Sequence, residues 1–99
     1  MYATIRRYTA KKGSAKALTA DLQKSFLPVV RSIKGFANYF YVLGGEENGR
    51  DILITVTVCQ TKEGVEESVK KAATWVKEHG KDADISAPQV TTGEVLGSA

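Results

Sequence analysis

The chain has 99 residues, 42% hydrophobic and 25% charged, with 14 basic against 11 acidic side chains and a net charge of +3. These values describe one globular domain, residues 1–99, and exclude a second domain, a disordered chain or a fibrous class. Lys and Arg are spread through both helical stretches and interleaved with Glu, which is not the one-sided basic face of a nucleic-acid binder. One cysteine, Cys59, excludes an internal disulfide and any multi-cysteine metal site and reads as a small buried residue at a strand end. No stretch approaches the roughly 20 apolar residues of a membrane span. The N-terminal MYATIRRY has no apolar signal core, so a cytoplasmic protein is expected.

Tyr2 to Thr9 reads as a first strand, with Tyr, Thr and Ile in alternation. Ser14 is placed to cap a helix whose apolar residues, Leu18, Leu22, Phe26, Val29, Val30 and Ile33, recur at three and four. Pro28 lies inside that pattern, where it removes a backbone donor, so a kink or break is expected near Ser25 to Leu27. Gly35 then supplies the stop. From Gly35 to Cys59 the chain reads as two strands joined at Asn48-Gly49, residue types that reach the positive φ of a tight hairpin turn. Thr61 can cap a second helix that ends at Gly80, with a core face of Val65, Val69, Ala72, Ala73 and Val76. Lys81 to Pro88 is loop-like, and Gln89 to Leu96 reads as a last strand interrupted by Gly93.

The order strand, helix, strand, strand, helix, strand is the split β-α-β pattern, an α+β ferredoxin-like antiparallel sheet with two helices on one face. Neither face of Ile52 to Val58 carries a charge, so both faces need cover. The Leu53, Thr55 and Thr57 face is expected to turn away from the helices and to be covered by a second copy of the chain, making a homodimer.

The Gly13-Ser14 helix entry, the KGFANYFYV run from Lys34 to Val42, SVKKAATWV from Ser68 to Val76 and the closing TTGEVL from Thr91 to Leu96 carry a resemblance. Over nearly its whole length the chain resembles the dimeric α/β-barrel superfamily, and within it the small single-domain proteins similar to antibiotic biosynthesis monooxygenases. The resemblance implies two ferredoxin-like protomers whose sheets face each other in a barrel, each with a pocket between sheet and helices. It further implies work on aromatic or polyketide/quinone-type substrates without flavin or metal, by Trp, Asn, Tyr, Arg or His side chains that position the substrate and stabilise its anion. Trp75 matches in type and place. The haem-degrading relatives pair a first-strand Asn with a Trp and a distant His, whereas here the first strand has no Asn and His79 is four residues past Trp75.

Ser68, Ala72, Trp75 and His79 fall along one flank of the second helix. This flank frames a ligand site, with Trp75 and His79 as catalytic candidates and Tyr39 or Tyr41 across from them; the plainer alternative is that Trp75 closes the core and His79 complements the helix C-terminus. Tyr39, Phe40 and Tyr41 place aromatic rings on both faces of their strand. Arg6 and Arg7 point to opposite faces, and the inward one needs Glu94 or an anionic ligand as partner. KGFANYFY approaches an RNA-recognition strand motif, but a further strand separates it from the second helix. No cofactor or metal is expected, and two classes stay open: a cofactor-independent oxygenase acting on a small aromatic molecule, and a non-catalytic ligand-binding or accessory homodimer.

Overall fold

A computed structural model describes residues 1–99. The elements are β1 (Tyr2–Lys11), α1 (Ala15–Ser25), α2 (Leu27–Arg31), β2 (Phe36–Glu47), β3 (Arg50–Cys59), α3 (Lys62–His79) and β4 (Gln89–Glu94). The strands form one four-stranded sheet in the order β2-β3-β1-β4, every neighbouring pair antiparallel, with the helices against one face. This is the ferredoxin-like α+β topology. No helix is long and apolar enough to cross a membrane.

The two faces of the sheet are the reverse of the sequence expectation. Thr4, Arg6 and Tyr8 of β1 stand opposite Thr57, Thr55 and Leu53 of β3, and all six are buried under the helices. The Leu53, Thr55 and Thr57 face is thus the covered one. The open face carries Ile52, Ile54, Val56 and Val58, with Phe40–Val56–Ile5 and Val42–Ile54–Arg7 as two cross-strand rows. Phe40 is 52% exposed, Val42 49% and Ile5 43%. Hydrophobicity alone misassigned the faces because the inward threonines serve a polar group, Arg6, that an apolar face would have left unbonded. Arg7, on the open side, pairs with Glu47 at 2.8 Å.

Local signals account for most of the connections. Asn48 and Gly49 both take positive φ, 53° and 76°, the pair a type I′ hairpin turn requires. β2 runs on through Gly44 to Glu47, past a bulge between Leu43 and Glu46, so the polar GGEE segment is strand and the turn is only Asn48-Gly49. The first helix breaks at Phe26, between α1 and α2, as Pro28 at the start of α2 requires. Gly35 has φ +80° but lies in the turn after α2 rather than directly at its end. Gly93 sits within the β1–β4 ladder opposite Ala3 and does not interrupt it.

Ser14 occupies the N-cap position of α1 without capping it. Its Oγ donates to Lys11 O, and Asp51 Oδ2 of β3 accepts instead from the N–H of Gly13 and of Ala15, at 3.0 and 3.1 Å. Thr61 does cap α3, its Oγ1 accepting from Gly64 N at 3.1 Å. Residues 81–86 run beside the end of β1, held by Lys11 N to Ala83 O and Ser86 N to Thr9 O, and Arg50 ties Asp84 to this edge.

α3 starts so close to the end of β3 that only glycine fits at position 64: a Cβ there would lie 2.9 Å from Cys59 Cβ and 3.2 Å from its Sγ. Burial pushes the Cys59 thiol up, so it remains a neutral packing group. Gly64→Ala is expected to lower stability by about 1–3 kcal/mol through overpacking, against the roughly 1 kcal/mol that alanine gains as a helix former. Denaturant unfolding measures it; a net gain would mean that α3 can move off β3.

Candidate ligand-binding site

The stripe of α3 that meets the sheet is Val65, Ser68, Ala72 and Trp75, all buried, while Val69 and Val76 are half-buried and Ala73 is exposed. The flank read as a possible pocket wall is therefore the centre of the helix's packing face, rotated from the expected stripe toward Trp75. Small side chains at Ser68 and Ala72 let α3 lie close to β1 and β3.

Trp75 is 7% exposed and is fixed from three sides. Its Nε1 donates to Ser25 Oγ at 2.6 Å, and Ser25 Oγ donates in turn to Asp21 O at 2.8 Å. The indole stacks on His79, with ring centres 5.1 Å apart and planes 18° from parallel, and meets Phe26 at 6.0 Å. His79 Nδ1 lies 2.8 Å from Asp21 Oδ2. That contact ties the end of α3 to α1, while Nε2 lies 3.9 Å from Glu78 Oε2. Trp75, Ser25, Asp21 and His79 thus form a closed ring of contacts joining α1 to α3.

Two spaces adjoin Trp75. Outside, a groove of about 460 Å³ runs between the α1–α2 junction and α3, lined by Ser25, Phe26, Val29, Lys70, Trp75 and His79 among others. Inside, between helices and sheet, only about 10 Å³ is open, bordered by Arg6, Tyr8, Phe26, Tyr39, Thr55 and Trp75. Phe26 and Trp75 border both spaces and form the partition between them. No group of three or more His, Cys, Asp or Glu side chains is gathered where it could hold a metal ion.

Arg6 is the unusual member of the inner wall. It is 1% exposed, and its guanidinium donates to Thr55 Oγ1 from Nε at 3.1 Å, to Thr57 Oγ1 from Nη2 at 2.9 Å and to Ser68 Oγ from Nη1 at 3.3 Å. All three partners are neutral, and no carboxylate borders the inner void. Glu94, one expected partner, is exposed on β4 opposite Tyr2. Burial pushes the Tyr39 phenol up to about 12 and the Tyr8 phenol up as well, in both cases against the lowering influence of Arg6. Neither tyrosine is therefore a phenolate at neutral pH, and neither neutralises the guanidinium.

Of the residues singled out in the sequence, Trp75 and Tyr39 border the inner void and His79 the outer groove, while Ser68 is buried and borders neither, its hydroxyl bonded to Arg6. Tyr41 borders neither space; it packs on Tyr39 with ring centres 6.1 Å apart. Tyr8, Phe26, Ser25 and Asp21 were missed as members. For Tyr8 the signal was available, since it lies two residues from Arg6 and so shares its face.

With this geometry in hand, comparison with solved structures is informative. HapK from Hahella chejuensis superposes with a TM-score of 0.76 at 14% identity, over 100% of this chain and 96% of its own. The monooxygenase from the gene ActVA-Orf6 of Streptomyces coelicolor, in complex with nanaomycin D, gives 0.75 at 8% identity over 99% and 89%. The NE2512 protein of Nitrosomonas europaea gives 0.73 at 21% identity over 99% and 91%. The chain has the fold of the antibiotic biosynthesis monooxygenase-like proteins. At these identities the likeness extends to the fold alone. No protein-family model matches the sequence, and no curated protein matches it.

Ser25→Ala removes the only acceptor of the buried indole N–H and is expected to cost about 1–3 kcal/mol. Trp75 is the chain's single tryptophan, so its emission reports the loss directly. Unchanged emission together with unchanged stability would mean that the Trp75–Ser25 bond does not persist in solution.

Proposed function

We propose that the chain is a homodimeric, small-molecule-binding protein that resembles cofactor-independent monooxygenases and takes an aromatic substrate of polyketide or quinone type. The observation that carries this reading is the groove beside Trp75, where an indole wall and an imidazole held by Asp21 stand together. The rings of Phe26 and Trp75 stand there among polar and charged side chains, Glu67, Lys70, Lys71 and Glu78 included, and an aromatic wall beside polar groups suits a planar, weakly acidic molecule. The imidazole of His79 would accept the proton of its phenol or enol, leaving an electron-rich anion, and dissolved dioxygen would be the oxidant. The shared fold with a monooxygenase bound to nanaomycin D supports this class of ligand. One observation favours the other reading, a non-catalytic ligand-binding or accessory dimer: the space between helix and sheet, about 10 Å³, is too small for a substrate as it stands.

The open sheet face supports the homodimer. Phe40, Val42, Ile5, Ile54 and Val56 form a continuous apolar surface, beside which Arg7 is already paired with Glu47. A second copy is the partner that presents the same apolar surface, and a stable pairing there buries more than roughly 1,000 Å².

Two measurements check these readings. Hydroxylated polycyclic aromatics, titrated against Trp75 fluorescence with dioxygen uptake recorded in parallel, are expected to quench saturably and consume oxygen. Quenching without uptake marks the accessory reading, and no quenching removes the site. Sedimentation at micromolar concentration is expected to give a dimer that Val56→Lys converts to monomer; a folded wild-type monomer would sink the dimer.

A further inference from the structure

The buried Arg6 guanidinium lacks a counter-charge, and its surroundings point to what supplies one. A charge taken out of water without an opposite charge is costly, and hydroxyl partners lower that cost without cancelling it. Arg6 takes part in none of the ion pairs of the domain, while Arg7 and Arg50 each have a carboxylate. Three hydroxyls engage the guanidinium, one at each nitrogen, and the neutral phenols of Tyr8 and Tyr39 lie close enough to bond to it as well, so every partner it has is uncharged. A carboxylate would supply the missing charge, since the fork of a guanidinium matches its two oxygens better than it does a set of neutral hydroxyls. The rings around them, Tyr8, Tyr39, Phe26 and Trp75, are suited to a flat apolar body.

We infer that Arg6 is the anchor for the carboxylate of a planar aromatic acid, which enters from the outer groove by displacing Phe26. This deepens the reading that the Trp75 side of the domain takes an aromatic small molecule, and rests on it. Entry has to pass the partition, because the void at Arg6 has room for about one water. Phe26 stands at the break between α1 and α2, its ring held by packing against Tyr39 and Trp75 and by no side-chain hydrogen bond. Trp75, by contrast, is held by Ser25 and His79.

The test uses a matched pair of probes, 1-naphthoate and its neutral counterpart 1-naphthamide, titrated into the full chain and followed by Trp75 fluorescence. Naphthoate is expected to bind at least about tenfold more tightly, the scale of a charge-assisted pair, and Arg6→Gln to abolish that preference. Arg6→Met, which replaces the charge by an apolar group of similar length, is the second variant, and thermal unfolding of each is recorded without ligand. Equal binding of both probes to the wild type would overturn the Arg6 anchor and leave the aromatic site standing. Binding of neither would remove both. A preference that survives in Arg6→Gln would assign the carboxylate to Lys70 or Lys71 on the rim, and overturn the proposal. Failure of both variants to fold would overturn it too, by making the guanidinium a structural group. Phe26→Leu, which thins the partition, is expected to speed association of naphthoate in stopped flow; an unchanged rate would overturn entry through Phe26.

Discussion

The burial of Arg6 governs the arrangement of this domain. Its guanidinium reaches from β1 to two threonines on β3 and a serine on α3, so one side chain joins the two central strands to the longest helix. Because strand side chains alternate, an inward Arg6 also sends Thr4 and Tyr8 inward. The register with β3 then carries Thr57, Thr55 and Leu53 to the same side. A one-residue slip of β3 would exchange Thr55 and Thr57 for Ile and Val, and take away two of the three hydroxyls that the guanidinium bonds. The polar residue thus selects the register, in the way that buried polar groups specify one arrangement among several of similar apolar content.

This choice divides the chain's apolar residues in an uneven way. The interior contains Thr4, Arg6, Thr55, Thr57 and Ser68 among its buried residues, whereas the outer face of the same strands carries Ile52, Ile54, Val56 and Val58. A domain of this size has little apolar area to spare. Here a good share of it lies on the side that no helix covers, and the covered side spends part of its area on a hydrogen-bonded cluster. The helices compensate with aromatic and aliphatic side chains: Leu18, Leu22, Phe26, Val30 and Trp75 close over the cluster from above.

The topology was readable from the order of patterned segments, and the Asn48-Gly49 turn, the Thr61 cap and the break at Pro28 each follow from one residue's backbone chemistry. These are local effects and need no knowledge of neighbours. The facing of the sheet is different. Ile52, Ile54, Val56 and Val58 outrank Leu53, Thr55 and Thr57 in hydrophobicity, so burial alone assigns them to the core; only the demand of Arg6 for hydroxyl acceptors reverses the choice, and that demand is long-range. Trp75 was recognisable as a wall residue because of its size and its place on α3. Its partners Ser25 and Asp21 were not, since they lie 50 or more residues away and meet it only through the packing of α1 on α3. Tyr41 was given equal standing with Tyr39, although a strand's inward residues do not all reach the same cavity.

The cap of α1 has a kinetic side. Asp51 is 36 residues beyond Ala15 in the chain, yet its carboxylate accepts from the N–H of Gly13 and of Ala15 at the start of a helix that the Ser14 side chain does not cap. Asp51 reaches that position only once β3 lies beside β1, with Ala10 and Asp51 in register. Before that pairing α1 is a short helix with an uncapped end, and helices of this length are marginal on their own. Closing the long loop between β1 and β3 is the slow kind of event in chain collapse, because its entropy is lost before the contacts reward it. The order of assembly that follows is sheet first and α1 afterwards, with the first helix completed by a residue that the ribosome makes well after the helix itself.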